Sequence, residues 1–104
     1  MTKDFKIPVQ LFELGQIVAT SGAMDATSHE QRMECLSRHM QGDWGHCDDE
    51  DKATNDAAIK LGNRILSAYP LNPDQPCKGW GDNTLWIITE ADRSVTTLLL
   101  PNEY

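Results

Sequence analysis

The residues of this chain best suited to moving a proton are His39, Ser67, Tyr69, Arg93 and Thr97: an imidazole, three hydroxyls and a guanidinium. Gathered around one phosphate-sized position, the imidazole would act as general base. The cation and the hydroxyl donors would stabilise charge building on phosphoryl oxygens. That is the inventory of a metal-independent ribonuclease. Thr89, Glu90, Asp92, Ser94 and Thr96 crowd the same turn. Alternation along strands would set Tyr69, Thr89 and Thr97 on one sheet face, with Arg93 at its rim. The plainer reading is that threonine suits strands, Arg93 pairs with Asp92 or Glu90, and the tyrosine ring packs.

A second constellation is acidic. Residues 43–56 hold six acids (Asp43, Asp48, Asp49, Glu50, Asp51 and Asp56) against one lysine, Lys52. A calcium loop of the EF-hand type needs alternating ligands, a central glycine and a terminal glutamate. The contiguous run Asp48-Asp49-Glu50-Asp51 instead reads as a solvated helix start whose dipole the acids complement. Asp43, Trp44, Asp48, Asp49, Glu50 and Asp51 are the candidates for contacting a partner with a basic surface. Trp44, flanked by Gly42 and Gly45, also reads as a lid on the core.

Other chemistry is thinner. Cys35, His39, His46 and Cys47 carry zinc-type donors, but their spacing matches no standard zinc pattern. Neither a metal nor a cofactor is expected. Cys47 beside His39 or His46 could form a nucleophile pair, though spacing says little about it. Gly79 and Gly81 precede no helix, so no phosphate loop is present, and there is no Gly-x-Ser-x-Gly elbow.

These residues have to be positioned by a few short elements. The β-branched residues of Gln16 to Thr20 predict a strand, which Ser21-Gly22 breaks. Ser28 and Gln31 form a capping-box pattern for a helix over 29–41, with Met33, Leu36 and Met40 as its apolar face and Gly42 as its stop. A helix from Asp48 or Asp49 to about Leu61 follows, with Ala53, Ala57, Ala58 and Leu61 as its weakly apolar face. Residues 64–69 predict a strand with Ile65, Ser67 and Tyr69 on one face. Residues 70–83 hold three prolines and two glycines and form a long connection. Strands over 84–90 and 95–100 make a hairpin around the turn at 91–94. The expected fold class is α+β, in the order β-α-α-β-β-β: a small, mainly antiparallel sheet with helices on one face.

The chain has 104 residues and a net charge of -7. That size suits one domain, expected over 9–104 behind a flexible tail at 1–8. Its acidity argues against tracking nucleic-acid phosphates or docking on anionic membranes. With no apolar span, no signal-peptide pattern and three scattered cysteines, a cytoplasmic protein with free thiols is expected.

Several blocks also resemble a known family. They are Leu14 to Thr20, Arg38-His39 with Gly42 to Gly45, Asp51-Lys52 with Asn55-Asp56, Ser67 to Tyr69, Leu85 to Ala91, and Thr96 to Pro101 with Glu103-Tyr104. In this order they are similar to small bacterial proteins of plasmids and integrative elements, often labelled plasmid-related proteins and sometimes restriction-modification subunits. A methyltransferase subunit would need a cofactor-binding domain that a chain of this length cannot hold. A looser resemblance, at the level of fold, is to ribonuclease toxins of the barnase and colicin kind. It implies catalytic roles for His39, Ser67, Tyr69, Arg93 and Thr97.

Two functions from different classes follow. The first is a non-enzymatic accessory protein of a mobile element that binds a host or element-encoded protein, as an anti-defence or nucleic-acid-mimicking inhibitor. The alternative is the ribonuclease-like toxin. A homodimer built through Leu98-Leu99-Leu100 or Trp80 is a third option.

Overall fold

The computed structural model describes residues 9–104, and the tail expected over residues 1–8 lies outside the described residues. The elements run β1 (Gln16–Ala19), α1 (Ser21–Ala26), α2 (His29–Met40), α3 (Asp49–Leu61), β2 (Ile65–Pro70), β3 (Thr84–Thr89), β4 (Val95–Leu99) and a closing 3-10 turn (Pro101–Glu103). The sheet order is β1-β4-β3-β2. β2, β3 and β4 pair antiparallel, and β1 joins β4 in parallel. This is the expected α+β fold with a mostly antiparallel sheet. No described helix is long and apolar enough to cross a membrane.

Strand pairing sets the two faces. Ile65, Ser67 and Tyr69 of β2 share a face with Leu85, Ile87 and Thr89 of β3 and with Thr96 and Leu98 of β4. Helices α1 and α2 cover this face, burying Ala23, Cys35 and Leu36 against Tyr69, Leu85, Ile87 and Leu98. A second cluster joins Phe12, Trp44, Ala58 and Ile65 beneath α3. The expected hairpin turn at 91–94 is present, closed by the Glu90 amide donating to the Val95 carbonyl at 3.0 Å.

The helix caps follow the sequence. The Ser28 hydroxyl accepts from the Gln31 amide at 3.1 Å, and the Asp48 carboxylate accepts from the Asp51 amide at 2.7 Å. Two helix faces differ from expectation. In α2 the buried stripe is Cys35, Leu36 and His39, while Met33 is 45% exposed. Leu36 is buried as expected and Met40 half-buried, but a fully bonded histidine can be buried too, and it turns the face away from Met33. In α3 the buried residues are Asn55 and Ala58, and Leu61 is exposed.

Helix α1 was not expected, because Ser21-Gly22 reads as a break. Its start is capped locally by Thr20, whose hydroxyl oxygen accepts from the Ala23 amide at 3.2 Å. Glu103 reinforces it, its carboxylate accepting from the Thr20 hydroxyl at 2.5 Å and the Gly22 amide at 3.2 Å.

The outer edge of β2 is covered. Asn55 of α3 treats Leu66 as a neighbouring strand would: its amide donates to the Leu66 carbonyl at 2.7 Å, and its oxygen accepts the Leu66 amide at 3.2 Å. One residue pair further, Gly45 bridges Ala68, with the His46 amide donating to the Ala68 carbonyl at 2.8 Å. A side chain at Gly45 (φ 71°) would run into that carbonyl, so the close approach requires glycine.

Candidate functional site

The proton-moving candidates divide. His39 comes from the last turn of α2 and is wholly buried. Its Nδ1 lies 2.5 Å from Ser67 Oγ and its Nε2 lies 2.9 Å from Thr89 Oγ1. Thr89 Oγ1 is 2.7 Å from Thr96 Oγ1, and the Thr96 hydroxyl donates to the Leu14 carbonyl at 2.7 Å.

That carbonyl can only accept, so it fixes the direction of every proton in the chain of bonds. Thr96 spends its hydrogen on Leu14 and must accept from Thr89. Thr89 must then accept from Nε2–H of His39. Burial disfavours a second proton on the ring and pushes its pKa down from 6.5 to about 3. The neutral imidazole then carries its proton on Nε2, and Nδ1 accepts from the Ser67 hydroxyl. Phe12 and Trp44 pack edge-on against the ring, with centroids at 5.2 and 5.9 Å.

Such an arrangement ties α2, β2, β3, β4 and the segment before β1 into one unit. As a general base it lacks access: both nitrogens are spent, and no face of the ring meets solvent.

The other catalytic candidates do not complete a phosphate site. Thr97 is corrected by register. It pairs with Ile88, on the sheet face opposite His39, and Thr96 holds the position expected of it. Four turn residues at 91–94 set 90 opposite 95, and so 89 opposite 96. That arithmetic was available from the sequence. Arg93 is corrected as well. It donates to the Asn63 carbonyl at 2.7 Å and the Ala58 carbonyl at 2.9 Å, where its charge meets the negative end of α3. Its guanidinium also lies 5.6 Å from the Phe12 ring centre. Neither Asp92 nor Glu90 pairs with it through a carboxylate; Asp92 accepts from Ser94 instead.

Tyr69 shares the face of Ser67 and is wholly buried. Its hydroxyl donates to the Asp43 carbonyl at 2.7 Å, and burial pushes its pKa well above the ordinary tyrosine range. The cysteines are free thiols. Burial pushes Cys35 and Cys47 up to about 11, where little thiolate forms to attack or to bind a metal. Among the described residues no three His, Cys, Asp or Glu side chains gather as metal ligands.

The partner-facing candidates also divide. Trp44 is 3% exposed and donates from Nε1 to Asp56 at 2.8 Å, so it is the core lid and not a contact surface. The Asp43 carboxylate is held by Arg38 at 2.8 and 3.2 Å, and that pairing keeps its pKa below the usual range. Asp48, Asp49, Glu50 and Asp51 are exposed on the first turn of α3.

The sequence reading did not single out what lies beside these acids. The connection 71–83 folds back on the sheet, stitched by Asn83, whose side-chain amide donates to the carbonyls of Asn72, Gln75 and Pro76 at 3.1 to 3.2 Å. Trp86 donates from Nε1 to the Gly79 carbonyl at 2.8 Å. Gly79 has a φ of 88°, and any Cβ there would meet the His46 carbonyl, so this loop sits on the segment that leads into α3. Between them opens a groove of about 420 Å³. Exposed Trp80 was the one hint of it in the sequence. No protein-family model, no curated protein and no solved structure matches this chain.

Proposed function

We propose that the chain acts by binding another protein, as a small acidic accessory protein of a mobile genetic element working in the cytoplasm. The start of α3 is its contact surface. One observation carries the reading: Asp48, Asp49, Glu50 and Asp51 are exposed on a helix anchored to the sheet, and none of them is in a salt bridge among the described residues. Unpaired charge on a rigid element complements a basic surface and speeds encounter with it.

Basic surfaces of that kind belong to proteins that neutralise nucleic-acid phosphates. Occupying such a surface would give the inhibitory, anti-defence role that the resemblance to mobile-element proteins suggests. The ribonuclease alternative gains nothing from the site, because its base is sealed and its cation serves α3.

The test is capture of partners from a bacterial host by wild type and by a variant carrying Asp48→Asn, Asp49→Asn, Glu50→Gln and Asp51→Asn. Asparagine caps helices as well as aspartate does, so the fold should survive. The expected result is a basic, nucleic-acid-binding partner held by wild type and released by the variant. Equal capture by both proteins, or recovery of partners without a basic surface, would overturn the reading.

A further inference from the structure

The groove beside the acids is lined by apolar and aromatic side chains as well as by charge, features that charge display alone would not require. Leu66, Cys47, Trp86 and Trp80 line it together with Asp48 and Asp51. A smaller hollow of about 200 Å³ shares Asp51 and Leu66 with it and reaches Thr54 and Arg64. The walls are fixed in advance by the Trp86–Gly79 hydrogen bond, the Gly79–His46 approach and the Asn83 stitches.

Trp80 is 63% exposed, so its ring face is open to a ligand entering the groove. The chain's own Lys78 ammonium already lies 5.2 Å from the centre of that ring. The aromatic face thus carries a cation while two carboxylates, Asp48 and Asp51, line the same groove. A planar guanidinium suits this lining, since it can stack on an indole while its edge donates to carboxylates. An ammonium offers a point charge without the stacking plane.

We propose that this groove binds an arginine side chain presented by an extended, basic segment of a partner protein, with Lys78 displaced from Trp80 as it enters. The inference rests on the acidic-surface reading and deepens it, naming the side chain recognised and the place where it sits.

The experiment is titration of tryptophan fluorescence with an acetylated, amidated hexa-arginine peptide and its hexa-lysine counterpart, at about 0.15 M salt to screen diffuse attraction. Wild type should bind hexa-arginine several-fold more tightly than hexa-lysine. Trp80→Ala changes no charge, yet should weaken the arginine peptide about tenfold, with Trp80→Phe recovering part of the loss. Asp51→Asn should weaken it more than Glu50→Gln, which lies outside the groove. Because Trp80 is exposed, its replacement should leave the melting temperature unchanged, and a thermal melt checks this.

If Trp80→Ala binds as wild type does and all acids count equally, the groove inference is overturned while the acidic surface stands. If neither peptide binds wild type, both fall.

Discussion

His39 Nε2 and Thr89 Oγ1 lie 2.9 Å apart in a space closed to solvent, and the proton between them belongs to the histidine. That assignment follows from the Leu14 carbonyl at the end of the relay. It turns the most reactive-looking residue of the sequence into a structural one. A buried polar chain with every group satisfied is costly to interrupt, because each broken link strands a desolvated donor or acceptor.

The histidine should give acid sensitivity of definite sign. In the unfolded chain its imidazole takes a proton near 6.5, whereas the folded protein refuses it until about 3. Within that window the unfolded state holds more protons, so stability is full above it and lost as pH falls. His39→Leu should remove a slope of about 1.4 kcal/mol per pH unit between pH 6 and 4 from the urea-unfolding free energy, whatever its effect at neutral pH. Parallel pH profiles for the two proteins would contradict the burial of a neutral ring.

Threonines 96 and 97 should behave oppositely despite being neighbours. Thr96→Val removes the hydroxyl that accepts from Thr89 and donates to Leu14, and should cost about 1 to 3 kcal/mol in chemical denaturation. Thr97→Val sits on the other sheet face, outside the relay, and should stay within about 0.5 kcal/mol of wild type.

Trp44 fills the cluster beneath α3 and bonds Asp56. Trp44→Ala should destabilise by about 3 to 5 kcal/mol, read as a fall in melting temperature. Trp44→Phe keeps most of the ring and loses the indole donor, so the cost should be about 1 kcal/mol.

Asn55 guards the β2 edge. Asn55→Leu would leave the Leu66 amide without its partner and its carbonyl with only the Cys47 thiol at 3.5 Å, and should cost about 1 to 3 kcal/mol. Exchange of the Leu66 amide proton should quicken relative to its strand neighbours. Unchanged exchange would mean the edge is guarded by something other than the asparagine.

Much of the fold was legible because its signals are local. Ser28 and Asp48 cap helices where their spacing says they should, Gly62 stops α3 in a left-handed conformation, and Ile65, Ser67 and Tyr69 alternate onto one face. The failures involve a small cap and remote partners. Thr20 and Glu103 together start a helix at Ser21-Gly22, and Ser67 and Thr89 let His39 be buried where Met33 was expected. For the site, the types of residue were legible and their roles were not. His39 and Ser67 do meet, but register moved Thr97 to the far face and a helix end claimed Arg93. The groove was hidden in a connection whose path depends on Asn83, Gly79 and Trp86 meeting across the sheet.

The central claim is that this protein works through the start of α3 and the groove beside it, and not through His39. Backbone amide shifts recorded while hexa-arginine peptide is added test it most directly. Saturable shifts are expected at residues 46–51, at Leu66 and at 78–80, with His39, Ser67 and Thr89 unmoved. Shifts centred on His39, Ser67 and Thr89, or none at the groove, would contradict it.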